Sequence, residues 1–390
     1  MKKSICVLFV FWHLFVLWSM TGCWNFREIR DLAIVIGASF DKKDDQIYLT
    51  VEVLSPKGGE QEQGATGSLG ITPQLFEGSG KTVFEAVRNM ISKAGRKLYW
   101  SHARVFIVSE DVAKEGIIQI IDWINRDAEV RPQTWILVSK GQAAGDILRT
   151  QSKLFDTVSM QIDTLLRNQG NSGKLLGVTV GDFLEEMQKP GVGAVAPIIE
   201  SVKDGREQIP QVKGSALFKG EKLVGFLDGE ETMYLLFLRN QMKKGTLIAV
   251  TAQQPKANVS LEIFRSHTTK TVRLVDDRPV VDIWVDCLSG IAEISEENDV
   301  ISERGSQKLT ERTNKELRNK ITDTIKKVQN EYGTDVFGFG NLIYRERPDL
   351  WETIPKGGWA KVFPTVDTNV NVNIMMRGSA KLSEPTRIGE

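Results

Sequence analysis

Three cysteines and three histidines are the whole supply of soft metal ligands and neutral-pH proton carriers in this sequence: Cys6, Cys23, Cys287, His13, His102 and His267. Cys6 and His13 sit in an apolar N-terminal run. A tetrahedral zinc cage cannot be built from Cys287, His102 and His267 without carboxylates, because the three lie far apart in sequence. A Ser/His/Asp arrangement would have to use His102 or His267, and neither sits beside a nucleophile elbow. "GSGKT" (residues 78–82) looks like a phosphate loop, but that motif needs a glycine four residues before Gly78 and a strand in front. Gln74 stands there, behind Thr72-Pro73, so the segment reads as a helix start. "GVGAVAP" lacks the third glycine of a dinucleotide fingerprint and opens no helix. The expectation is therefore no catalytic residue, no metal and no cofactor.

Cys23 has a chemistry that needs no side-chain partner. Lys2 and Lys3 precede a run from Ile5 to Trp18 broken only by His13, the layout of a secretory signal. Ile5 to Met20 is 16 residues, short of the roughly 20 that span the hydrocarbon core. Met20-Thr21-Gly22-Cys23 resembles a bacterial lipobox, with Met where that pattern usually has Leu. On this reading the signal, residues 1–22, is removed and the Cys23 thiol carries lipid. An uncleaved membrane anchor with an incidental cysteine is the alternative. With Cys23 committed, Cys287 is left alone and no intrachain disulfide can form, despite export. Following "VVDIWVD", it is expected to pack at a strand end.

Composition removes other classes. Apolar residues at 41% and charged residues at 26% are ordinary for a globular protein, so a sizeable core is expected. Lys+Arg and Asp+Glu both number 50, so no basic face for a phosphate backbone is demanded and no nucleic-acid partner is expected.

The elements that would position these residues fall into three textures. Residues 23–190 alternate strands and helices, which argues an α/β layer domain. Ile47, Leu49, Val51 and Val53 make one face of a strand, with Tyr48, Thr50 and Glu52 on its polar side. A Gly/Gln/Ser-rich loop follows near residues 57–70. Val83, Ala86, Val87, Met90 and Ile91 mark a helix started near Gly80 and Thr82. "ARVFIVS" and "QTWILVSKG" are strands, and Val112–Ile124 reads as one apolar helix. Helices over residues 155–168 and 179–189 flank a flexible "NQGNSGK". Residues 191–256 form a small β-rich middle unit with the hairpin "GSALFKGEKLVGFL". Residues 257–390 open with a three-stranded meander, "NVSLEIFRS", "TKTVRLV" and "RPVVDIWVDCL". A long helix over 306–332 follows, carrying Leu309, Leu317, Ile321, Ile325 and Val328 on one face before Gly333. "VDTNVNVNIMMRG" alternates Val370, Val372 and Ile374 with Asn369, Asn371 and Asn373; a solvated Asn face is preferred over an edge that meets a partner.

Two stretches are candidate interfaces. In "YWSHARV", Trp100 and His102 either cap the core and satisfy a buried partner, which is the preferred reading, or touch another molecule. Arg131 ends the charged loop "NRDAEVR". In "VFGFGNLIYRERPDLWE", Phe337, Phe339, Arg345 and Trp351 surround Gly338 and Gly340; an aromatic core plug is preferred, with an interface as the second reading.

In order along the chain, these stretches resemble the Ger(x)C family, the lipoprotein C subunits of nutrient germinant receptors of spore-forming bacteria. The resemblance rests on Cys23-Trp24 with Glu28-Ile29, then "LAIVIGASFD", "GSGKTVFEAVRNM" and "GRKLYWSHARVFIVSEDVAKEGI". It continues through "INRDAEVRPQTWILVSKG", "GSALFKGEKLVGFLDGEET" and "DVFGFGNLIYRERPDLW". It implies a mixed α/β and α+β fold: a three-domain ectodomain with separate mixed sheets flanked by helices, behind a lipoprotein signal peptide. It also implies a non-enzymatic subunit, lipid-anchored at Cys23 on the outer face of the inner spore membrane. Its partners would be two integral membrane subunits, A and B. The rival reading is a free solute-binding lipoprotein of the cell envelope, with a cleft between two comparable lobes. An envelope hydrolase stands third, because His and Cys are so scarce.

Overall fold

The apolar strands sort into two sheets in the computed structural model, which describes residues 31–56, 71–242, 246–251, 258–276, 278–294, 303–354 and 358–377, and a few positions between 5 and 13. The first sheet begins with an antiparallel ribbon of β1 (Leu32–Lys43), β2 (Gln46–Pro56) and β3 (Ile71–Gly80). Three strands run parallel on from β1: β5 (Val105–Ser109), β6 (Trp135–Ser139) and β7 (Val195–Asp204). The short β4 (Lys97–Tyr99) also pairs with β1. Antiparallel β8 (Glu207–Lys219) and β9 (Lys222–Leu227) complete the order β3-β2-β1-β5-β6-β7-β8-β9.

Helices cover both faces, as a largely parallel sheet requires. On one face α1 (Val83–Ala94), α2 (Glu110–Glu115) and α3 (Ile118–Arg126) pack on Phe40, Leu49 and Val51. Thr82 is the N-cap of α1, accepting from Glu85 N, and Gly95 closes it at φ +63°. The glycines of "GSGKT" let α1 lie close on β3: a Cβ on Gly80 would come within 2.6 Å of Ala86 N. The expected single helix over Val112–Ile124 is broken at Gly116, whose φ of +144° no other residue type adopts easily.

The other face is covered by α4 (Ala144–Leu148) and α5 (Val158–Arg167), around Val105, Ile107 and Leu137. This corrects one expectation. Tyr48 stays exposed, but Thr50 and Glu52 are only 5% and 2% exposed, because α4 packs over Thr50 at Gly145 and the start of α5 meets Glu52. The Glu52 carboxylate accepts from Val158 N at 3.0 Å and Ser159 N at 2.9 Å, so a strand side chain satisfies the first turn of a helix. Asp41 of β1 does the same for α4, accepting from Ala144 N and Gly145 N. Beyond α5 lie α6 (Gln169–Ser172) and α7 (Val180–Gln188), the latter opened by a Thr179–Asp182 capping box.

The stretch expected as a middle unit, residues 191–256, is divided in the structure. β7–β9 extend the first sheet, and β10 (Thr246–Thr251) belongs to the second. Between them runs α8 (Gly229–Leu238), buried all round from Thr232 to Leu238. An apolar helix of that kind is stable only with protein on every side.

The second sheet has the order β10-β11-β12-β13. The expected three-stranded meander is instead two long strands, because β11 (Asn258–Val275) runs through both of the first two segments, with pairing irregularities near Ser260 and Phe264. β12 (Arg278–Ile294) pairs antiparallel with it, and β13 (Asp367–Arg377) joins β12 in parallel. The long helix α9 (Glu303–Lys327) lies on this sheet and ends in one π-helical turn, Val328–Tyr332, closed by Gly333 at φ +56°. Leu309, Leu317, Ile321, Ile325 and Val328 are all buried, as their spacing predicts. Of the exposed Asn face, Asn369 donates to Asp282 at 2.8 Å and Asn373 to Asp286 at 3.1 Å. α10 (Phe339–Glu346), α11 (Pro348–Thr353) and α12 (Trp359–Val362) close the chain onto both sheets. The result is the expected mixed α/β fold of separate mixed sheets flanked by helices. Among the described residues no helix is long and apolar enough to cross a membrane.

Candidate functional site

Where the two sheets meet, four charged groups are drawn into a largely buried joint. Arg239, just past α8, donates through Nε to Val336 O at 2.9 Å and pairs with Glu186 of α7 at 2.5 Å. Their side chains are only 9% and 14% exposed. Glu186 also accepts from Val195 N, so one carboxylate ties the second half of the chain to β7. Beside it, Asp335 is 4% exposed and accepts from Phe337 N, Gly338 N, Gly340 N and Trp359 Nε1 at 2.6–3.1 Å. Lys270 of β11 donates to Phe337 O at 2.6 Å, its ammonium 5.8 Å from the centre of the Phe339 ring. Gly191 sits against this group at φ +67°; a Cβ there would lie 2.9 Å from Trp351 and 3.0 Å from Gly340 Cα.

The low-dielectric surroundings show in the ionisation of these groups. Burial pushes the Lys270 ammonium down to about 8, opposed by Asp335 and aided by the charges of Arg239 and Arg345. Burial raises the Asp335 carboxyl, against the pull of its N–H donors and Lys270. A lowered lysine contributes stability that is complete above its unfolded value of 10.5 and is lost as pH falls to its native value. Wild type is therefore expected to gain on Lys270→Met as pH rises from about 8, by up to about 1.4 kcal/mol per pH unit. Urea melts near pH 8 and near pH 10 check this; a difference that does not move with pH would place the amine in water.

The residues put forward from sequence fall into two places. Trp100 is in the core, edge-on to Trp123 at 5.0 Å and near Phe106. Phe337 and Phe339 are equally buried, packed together and against Phe363. These three are core, as the preferred readings had it, and their candidacy as interface residues is corrected. His102 and Arg131 are exposed at the end of the first sheet where β1 begins, with His102 beside Tyr99. Arg345 is exposed on α10, and Trp351 is half-buried between Tyr344 and Trp359. Cys23 lies outside the described residues. Cys287 is buried in the middle of β12 and not at a strand end as expected, and burial pushes its thiol up to about 12, which disfavours the nucleophilic thiolate. Among the described residues no three His, Cys, Asp or Glu side chains are grouped to hold a metal. Sequence reading missed Asp335, Lys270, Glu186, Arg239 and Gly191. The available signal was an acidic residue at the head of "DVFGFG" and a lysine inside a strand.

At the opposite end of the first sheet, where β1, β5 and β6 finish, a cleft of about 610 Å³ opens, lined by Asp41, Thr50, Glu77, Glu110, Gln142 and Arg149. Open α/β sheets bind ligands at this end. Several of its charges are engaged within the chain: Arg149 with Glu77 and Asp146, Glu110 with Lys114 and Gly141 N, Asp41 with α4. The cleft belongs to one sheet and does not lie between two lobes.

Two family models match this chain in succession: "Spore germination protein N-terminal domain" over residues 25–201 and "Spore germination B3/ GerAC like, C-terminal" over residues 213–380. Spore germination protein KC of Bacillus subtilis (strain 168) is 26% identical over 98% of each chain. Spore germination protein B3 of the same organism is 24% identical over 92% of this chain and 94% of its own. The crystal structure of the GerBC protein superposes with a TM-score of 0.58 at 21% identity, covering 90% of this chain and 99% of that one. The fold, the order of both domains and the near end-to-end relatives agree: this chain is a member of the Ger(x)C family of spore germination proteins.

Proposed function

We propose that this chain is the non-enzymatic C subunit of a spore nutrient germinant receptor. It would be tethered by lipid at Cys23 to the outer face of the inner spore membrane and assembled there with integral membrane A and B subunits. The observation that carries the reading is the ordered match of both spore germination domains along one chain whose N-terminus has a signal-like run before Cys23. In that run Ile5, Phe9, Phe11 and Trp12 are each 60–72% exposed, so these apolar side chains find no burial against the folded part. His102, Arg131, Arg345 and the half-buried Trp351 are the candidate partner contacts left once the core residues are set aside.

Cys23→Ala is expected to release the protein from the membrane fraction and to slow nutrient-triggered germination, read by loss of optical density of a spore suspension. Full membrane retention and germination in that variant would remove the tether. Affinity purification from detergent-solubilised spores is expected to recover two multi-spanning partners; recovery of neither would overturn the receptor assignment.

A further inference from the structure

The amino-terminal ends of the parallel strands gather a set of cations that the fold does not use. β1 starts at Leu32 beside Lys97 of β4, and β5 and β6 start at Val105 and Trp135, all in the same direction. Their leading loops, residues 95–104 and 127–134, therefore share one rim with Asp31. The loops are tied together: Thr134 Oγ1 donates to Ala103 O at 3.1 Å, and Trp100 N to Glu129 at 3.3 Å.

Two of the rim's three carboxylates are occupied, and the third, Asp31, is exposed. Glu129 pairs with Lys97, and Asp127 accepts from Glu129 N. Arg96, Arg104 and Arg131 have no ion pair among the described residues; the latter two are exposed, and Arg96 lines a shallow depression with Asp31 and Gly95. Such cations suit an anionic surface, and they act on it only within about 8 Å at physiological salt.

Chain length brings such a surface close. Cys23 is eight residues before Asp31, a reach of at most about 28 Å when fully extended. We infer that this rim faces the bilayer, with Arg96, Arg104 and Arg131 seated on anionic phospholipid headgroups. The inference rests on the Cys23 anchor proposed above. It also turns the strand-end cleft away from the membrane, since that cleft lies at the other end of the same strands.

The test uses the full lipid-bearing protein in phosphatidylcholine vesicles made with and without phosphatidylglycerol, followed by amide hydrogen exchange. Exchange in residues 95–104 and 127–134 is expected to slow about tenfold or more on the anionic vesicles. The protection should disappear in the Arg104→Glu/Arg131→Glu protein, whose exposed substitutions leave the core alone, and in high salt. If wild type floats with both vesicles and the two loops exchange equally fast, the rim assignment is overturned while the anchor stands. If Cys23→Ala floats as well as wild type, the anchor falls and this inference with it.

Discussion

Asp335→Ala is expected to lower the unfolding free energy by about 4–5 kcal/mol near neutral pH, an unusually large loss for one side chain. Four donors converge on that carboxylate, and three of them are backbone N–H groups of the turn Phe337–Gly340. Alanine leaves them buried without acceptors and strips Lys270 of its nearby counter-charge, and a buried charge without its partner is costly. Asp335→Asn keeps one oxygen and is expected to lose less. The pH dependence follows from burial, which raises this carboxyl above its ordinary 3.8. Its stabilisation is complete below that value and declines as pH rises through the native one. The gap between Asp335→Ala and wild type should therefore be widest in acid and narrow toward neutrality. Urea denaturation at several pH values measures it; a loss below about 1 kcal/mol would mean that water reaches the turn in the native state.

Glu52→Ala is the second large effect, at about 3 kcal/mol. Its two bonds, to Val158 N and Ser159 N, satisfy the start of α5 and place negative charge where the helix dipole favours it. Without them the helix loses its seat on β2, so amide exchange should accelerate first at residues 158–162. Glu52→Gln retains one acceptor oxygen and is expected to recover part of the loss. Burial raises this carboxyl too, so its contribution also falls as pH rises above 4.5 through the native value. Unchanged exchange in α5 with a global loss of stability would show that Glu52 does not act through this helix.

Local rules made much of the fold legible in sequence. Thr82 and Gly95 bound α1 as capping chemistry dictates, and the apolar face of α9 reads directly from its period. Reading failed where distant chain decided the outcome. Thr50 and Glu52 look solvated on β2 alone, and only the arrival of α4 and α5, about a hundred residues later, buries them. The middle unit dissolved for a similar reason: strand pairing, which no local pattern specifies, joined β7 to β6 and β10 to β11. Aromatics near glycines were correctly weighed as core at Phe337 and Phe339. The charged groups that hold that corner escaped notice because their partners come from four separate stretches of chain. Of the exposed members, Arg131 and Arg345 were marked by their charge, whereas His102 was preferred as a group satisfying a buried partner, and the structure leaves it exposed.

The helix α8, buried from Thr232 to Leu238, carries a consequence for how such chains can be recombined. It is walled by β8 on one side and by β11 and α9 on the other, with Thr334 Oγ1 bonded across to Phe218 O and Arg239 to Glu186. Neither half can present its share of that wall to water. A hybrid joining the first half of one relative to the second half of another would inherit two surfaces shaped for different helices. Its yield of folded protein should then follow how well the residues flanking α8 match, whatever the similarity of each half taken alone. The halves of this molecule are therefore expected to be inherited as one unit.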